Sequence, residues 1–228
     1  MAIAHLFRPD AEDLMDHYPN RREHAADFWV HMCALGLAVF GGGALFAFAL
    51  MKGGIGLAAA TGLYAFCLFA MLGCSALYNL SNPSPARRVL RRMDEAAIFV
   101  MIAGSCAPFI AQHSDGWMQA LFLGVIWIAA IAGAAGKILL PLGDRFWAGA
   151  YVAFGWLAAL ILAPLFPKMH AVVVWLLAAG GIVYTAGVSV YLWKSMPFRR
   201  AIWHGFVVSG AGLHFAAILV GVLLIKAM

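Results

Sequence analysis

Residues 28–78 read FWVHMCALGLAVFGGGALFAFALMKGGIGLAAATGLYAFCLFAMLGCSALY, and Lys52 is the one Asp, Glu, Lys or Arg among them. A helix that crosses a bilayer needs about 20 mostly apolar residues. This stretch is too long for one crossing and is broken by Lys52-Gly53-Gly54, a turn signal. It therefore predicts two spans, near 28–51 and 55–78. The same reading along the rest of the chain adds spans near 95–112, 117–138, 146–166, 170–192 and 202–225. Their breaks carry Asn82-Pro83-Ser84-Pro85, Ser114-Asp115-Gly116, Pro141-Leu142-Gly143-Asp144, Pro167-Lys168 and Ser195-Met196-Pro197. The expected fold is an all-α, seven-transmembrane helix bundle at 28–228, behind a polar cytoplasmic segment at 1–27.

Composition agrees. Apolar residues make up 64% of the 228 positions and charged residues 11%, against roughly 45–50% and about 25% in soluble domains. The net charge of +5 comes from short basic clusters between apolar runs, a membrane pattern rather than a nucleic-acid footprint. Membrane lipids are the expected partners, with no nucleic acid. Alternate loops divide the Lys and Arg residues twelve to three. Arg8, Arg21, Arg22, Arg87, Arg88, Arg91, Arg92, Lys137, Arg145, Lys194, Arg199 and Arg200 fall on one side, and Lys52, Lys168 and Lys226 on the other. The positive-inside rule then puts the N-terminus in the cytoplasm and the C-terminus outside, which requires an odd number of spans. A bacterial inner membrane is the expected location.

Trp29, Trp117, Trp147, Trp193 and Trp203 lie near span ends and fit an aromatic belt. Cys33, Cys67, Cys74 and Cys106 lie within apolar runs without CxxC spacing, and read as buried small hydrophobes. The Gly41-Gly42-Gly43 and Gly180-Gly181 runs suit close helix packing. Residues 1–27 lack the apolar core of a cleavable signal.

A charge at mid-span costs about 2.5–3.5 kcal/mol, so polar residues in such helices are candidates for function. Glu23, Asp27 and His31 are spaced by four on the first helix, and Ser75 and Asn79 are four apart at the end of the second. Asp94 opens the third, and Arg200 and His204, again four apart, open the seventh. In the topology above, all lie toward the cytoplasmic ends and can share one pocket. His214 stands ten residues past His204, about 15 Å along a helix, and reads as a hydrogen-bonded core histidine. His5, His17, His113 and His170 fall in loops or the tail, where exposure is expected.

The stretches Ser75-Ala76-Leu77-Tyr78-Asn79, Arg92 to Ile98 running into Ile102 to Phe109, Trp203-His204-Gly205 and Leu213-His214-Phe215 resemble the hemolysin III branch of the progestin and adipoQ receptor family. The resemblance implies seven helices and a zinc site. The family has an S-x-x-x-H motif closing the second helix, an aspartate opening the third and an H-x-x-x-H motif opening the seventh. Ser75, Asp94 and His204 match. Asn79 and Arg200 stand where two histidines belong, so His204 is the one matched ligand position. Asp27 replaces an asparagine four before His31, and Val30 a threonine. An amide is a poor zinc ligand, and a guanidinium cannot become one. The expectation is therefore no metal, with Arg200 supplying the missing positive charge, paired with Asp94 and hydrogen-bonded to Asn79 or Ser75. Metal held by a different set, His204 with Asp94 or with Asp27 and His31, is the alternative.

Three function classes follow. The favoured one is a non-catalytic or signal-responsive protein of membrane homeostasis; the spans carry no pore-lining ring of charge. The second is a zinc-dependent lipid-amide hydrolase resembling the ceramidases of the wider superfamily, with Ser75, Asp94 and His204 as candidate catalytic residues. The third is a proton-linked sensor or transporter using Glu23, Asp27, His31, Asp94 and His204.

Overall fold

The computed structural model describes residues 9–224, and Arg8, His5 and Lys226 lie outside them. Among the described residues every regular element is helical, with a 3-10 turn at Ala11–Leu14 ahead of α1 (Arg21–Leu80), α2 (Arg87–His113), α3 (Gly116–Leu139), α4 (Asp144–Leu162), α5 (Ala171–Leu192) and α6 (Arg199–Leu223). All six are long and apolar enough to cross a membrane, α4 together with the 3-10 turn Ala163–Lys168 that follows it. Phe40, Ile55, Ile128 and Leu160 are more than two-thirds exposed, the outward apolar surface that lipid would cover.

α1 has 60 residues and would be about 90 Å long if straight, three times the hydrocarbon core. It is not straight. Gly54 has φ 70° and ψ −168°, a conformation open in practice to glycine alone. The arms on either side, 21–53 and 55–80, pack antiparallel. A Cβ on Gly42 would stand 2.9 Å from the Ala65 methyl, one on Gly62 would lie 3.2 Å from Phe46, and His31 meets Ser75. Each pair is centred on residues 53–54, the Gly53-Gly54 turn.

α2 is the core helix and packs on α1, α3, α4 and α6, while α6 packs on α1 and α5. The α5–α6 approach depends on missing side chains: a Cβ on Gly180 would fall 2.4 Å from His214, and one on Gly210 2.9 Å from Tyr184.

Several sequence expectations shift. The third apolar stretch, expected near 95–112, is the heart of a 27-residue helix beginning at Arg87. Arg87, Arg88, Arg91 and Arg92 are thus helical rather than in a loop, and Asp94 lies in the third turn rather than at the opening. Their charge hides the first two turns from a hydropathy reading. Lys137 also belongs to a helix, α3, and is buried. The span expected at 146–166 leaves α-geometry at Leu162, since Pro164 and Pro167 follow. Trp147 is buried against Phe99 with Lys137 over its ring, rather than standing in a belt. Cys67 and Cys106 are buried, but Cys33 is exposed because it lies on the outward face of α1.

Candidate functional site

Residues 9–20 lie across the ends of α1 and α2. Asp10 pairs with Arg88 at 2.5 Å and Arg91 at 2.6 Å. Burial would raise the Asp10 carboxyl, but the Arg91 hydrogen bond and the charges of Arg91 and Arg88 bring it below its ordinary value. Arg87 donates to the Met15 carbonyl at 2.6 Å and to the Ser81 carbonyl. His17 is half-buried against Tyr78, its Nδ1 3.4 Å from the Asn79 carbonyl, rather than exposed as expected. Burial, then the Arg200 and Arg87 charges, push it down to about 3. Asn20 caps α1, accepting from the Arg22 and Glu23 backbone. Glu23 turns back to the Asn20 amide at 3.2 Å, so it serves the cap rather than the cluster four residues on.

One turn further in, Asp27 is fully buried with both oxygens engaged. Tyr18 donates its hydroxyl to Oδ2 at 2.5 Å, and His204 donates from Nδ1 to Oδ1 at 2.6 Å. Burial and the Asp27 charge raise the Tyr18 hydroxyl, so it remains a donor. The i,i+4 spacing places His31 over Asp27, and its Nδ1 donates to the Asp27 backbone carbonyl at 2.9 Å. Both imidazoles have their Nδ1 occupied and keep Nε2 as an acceptor. Both Nε2 atoms face Ser75 Oγ, from His31 at 3.3 Å and from His204 at 3.5 Å.

Asn79, buried one turn past Ser75, donates to the Ser75 carbonyl at 3.0 Å. Its Nδ2 lies 3.4 Å from both Ser75 Oγ and His204 Nε2. Arg200 Nη1 donates to Asn79 Oδ1 at 2.7 Å. That bond is the part of the expected arginine arrangement seen directly; Asp94 stands within the fields of His204 and Arg200, with Ser75 beside it. α6 begins after Phe198, a non-glycine residue at φ 53°. This costs on the order of 1 kcal/mol and fixes the turn carrying Arg200 and His204.

These residues form one end of a cavity of about 320 Å³, the size of a small-molecule site. Ser75, Asn79, Asp94, Arg200 and His204 line it. From there it runs between α2, α4, α5 and α6 past Met101, Phe109, Ala159 and Ala178 to His214, an apolar path about 15 Å long along α6. His214 is a wall residue, its Nε2 3.4 Å from the Leu177 carbonyl. Trp156 and Thr185, both exposed on the outer surface, also line the cavity, so it reaches the lipid-facing side between α4 and α5.

The profile of haemolysin-III related proteins matches residues 20–215. The chain belongs to that family. Within it, the chain is 31% identical to the hemolysin-3 homolog of Bacillus subtilis (strain 168) over 67% of its own length and 71% of the relative's. It is 32% identical to hemolysin-3 of Bacillus cereus, over 71% and 74%. The human monocyte to macrophage differentiation factor is 26% identical over 68% and 67%, which joins the hemolysin III branch to the wider progestin and adipoQ receptor family.

Two family ligand positions hold Asn79 and Arg200, bonded to each other. Asp27, His31 and His204 each bring one potential ligand atom within 4.8 Å of the others. With both Asp27 oxygens accepting hydrogen bonds and both histidine Nδ1 atoms donating theirs, the two Nε2 atoms are the nitrogen donors left in this cluster, fewer than the three histidines that the family resemblance implies. Sequence reasoning gave Asp94 the central place, whereas Asp27 holds His204. The signal was the departure from asparagine at that position. Tyr18 carried no signal, because its contact depends on how residues 9–20 fold back.

Proposed function

We propose that this haemolysin-III family member is a bacterial inner-membrane protein with seven crossings, its N-terminus cytoplasmic. Counting the two antiparallel arms of α1 as separate spans supports seven, and the twelve-to-three division of basic residues supports the orientation. Reporter fusions after residue 228 and within the Lys52-Gly53-Gly54 turn test it. External activity at both is expected, and cytoplasmic activity at either contradicts it.

Within that frame, the protein takes up the acyl chain of a membrane amphiphile as part of membrane homeostasis and does so without a metal. The observation that carries this is the cavity, mostly apolar, reaching the lipid-facing side between α4 and α5, and lined at its polar end by Asn79, Arg200 and His204. A tail fits the apolar length and a carbonyl or anionic head fits the polar end. Arg200 supplies the fixed positive charge there, and its planar fork suits an oxygen-rich head. A zinc-dependent amide hydrolase is not favoured by this donor set. Proton transport is not favoured either, since the polar network gives way to apolar wall before His214.

Native mass spectrometry of detergent-purified protein, offered palmitate and an N-acyl amide side by side, tests the reading. One chain bound per protein is expected, with affinity reduced at least tenfold by Ala178→Phe, which fills the cavity. Absence of binding, or binding indifferent to Ala178→Phe, contradicts it.

A further inference from the structure

We propose that Ser75, His204 and Asp27 form a metal-free nucleophilic relay that cleaves the acyl ester or amide of a lipid held in the cavity. The proposal rests on the acyl-binding reading above.

The chain of contacts runs Asp27 Oδ1 to His204 Nδ1 at 2.6 Å, then His204 Nε2 to Ser75 Oγ at 3.5 Å. A carboxylate behind a histidine, and that histidine facing a hydroxyl, is the arrangement that activates a serine. Resting sites commonly show a long base-to-nucleophile distance that tightens on substrate. Asp27 and His204 are buried, whereas Ser75 is half-buried and faces the cavity, as a nucleophile must. The Tyr18 bond on Oδ2 leaves Oδ1 directed at His204.

His31 also faces Ser75 but is the weaker base. Its Nδ1 is backed by a carbonyl, with the nearer Asp27 carboxylate oxygen 3.7 Å away. A positive charge forming on His31 gains less than one forming on His204.

Ser75 Oγ attacks the acyl carbonyl carbon while its proton passes to His204 Nε2. The carbonyl π pair moves to oxygen, and the Arg200 guanidinium at this end of the cavity carries the positive charge that offsets it. The tetrahedral centre collapses, the bond to the leaving oxygen or nitrogen breaks, and His204 returns the proton to it. Water then attacks the Ser75 ester, giving its proton to His204, and the carboxylic acid departs with Ser75 restored. A second cavity of about 270 Å³, lined by Asp16, His17, Tyr18 and Arg87, reaches Asn79 from the cytoplasmic side and gives that water a route.

The test is covalent labelling of full-length protein in nanodiscs with an alkyl fluorophosphonate. Phosphorus gains a bond to Ser75 Oγ and loses fluoride, and His204 takes the proton. One adduct per chain is expected, on the peptide containing Ser75, undiminished by chelator and absent in Ser75→Ala. His204→Gln slows labelling ~10³-fold or more, and added imidazole restores part of the rate in His204→Gly. Asp27→Asn, a positioning change, lowers the maximal rate ~10²-fold or more and leaves the half-saturating probe concentration unchanged. The detergent melting temperature of the same variants reports that they are folded. Lack of an adduct, an adduct elsewhere, or wild-type labelling of His204→Gln overturns the relay. If palmitate still binds in those cases, the cavity reading stands, and if palmitate does not bind wild-type protein, that reading falls on its own.

Discussion

Two buried charge clusters lie at the same end of this bundle and are built differently. In one, Lys137 pairs with Glu95 at 3.1 Å, stacks over Trp147, and is flanked by Arg92, which donates to the Ile138 carbonyl. That cluster ties α2 to α3: Lys137 and Glu95 meet each other, while Arg92 Nε and Trp147 Nε1 are buried without a hydrogen-bond partner among the described residues. In the other, Asp27, His31, Ser75, Asn79, Arg200 and His204 join the two arms of α1 to α6, and both imidazole Nε2 atoms converge on one hydroxyl, Ser75 Oγ, at the wall of a cavity. Burial and charge are common to both. Two bases focused on one cavity-lining hydroxyl separate a functional site from a fastening.

The largest effects should come from breaking each cluster in turn. Lys137→Met leaves Glu95 buried without its partner and should cost about 3–5 kcal/mol. A fall in the detergent melting temperature would report it, with Ser75 labelling of the folded fraction unchanged. His204→Asn should do the reverse, abolishing labelling with a small change in melting temperature, because the asparagine amide takes the place of Nδ1 and still donates to Asp27. Next comes Arg200→Met, which removes the cation and the bond to Asn79. Palmitate binding should weaken at least tenfold while the uncharged N-acyl amide changes less, read by native mass spectrometry.

Tyr18→Phe removes a charge-assisted hydrogen bond and should loosen residues 9–20 by about 1.5–3 kcal/mol, seen as faster amide exchange there. The smallest effect concerns pH. His17 is neutral in the fold down to about 3, whereas an unfolded histidine takes its proton near 6.5. The released segment therefore binds more protons between those values, and its docking should weaken as pH falls through that window. His17→Asn should flatten the pH dependence of exchange at residues 9–20.

Much of this was legible in the sequence. Run length and the Lys52-Gly53-Gly54 break foretold a helical hairpin, because apolar length and glycine at a positive φ are local properties. The i,i+4 pairs foretold that Asp27 and His31, and Ser75 and Asn79, share helix faces. Which acid meets which histidine was not legible, since it depends on how α6 is rotated against α1, and spacing within one helix says nothing about rotation between two. The depth of Arg87, Trp147 and Lys137 was hidden for the same reason. Their charge or position suggested an interface, while their partners lie on other helices or, for Arg87, in the segments that precede α1 and α2.

The central claim is that this chain holds its polar site with Arg200 and hydrogen bonds where the family resemblance implies zinc. Elemental analysis of protein purified without chelator, wild type beside His204→Ala, tests it most directly. Substoichiometric zinc, unchanged by the substitution, is the expected result. One zinc per chain, lost in His204→Ala, would contradict it.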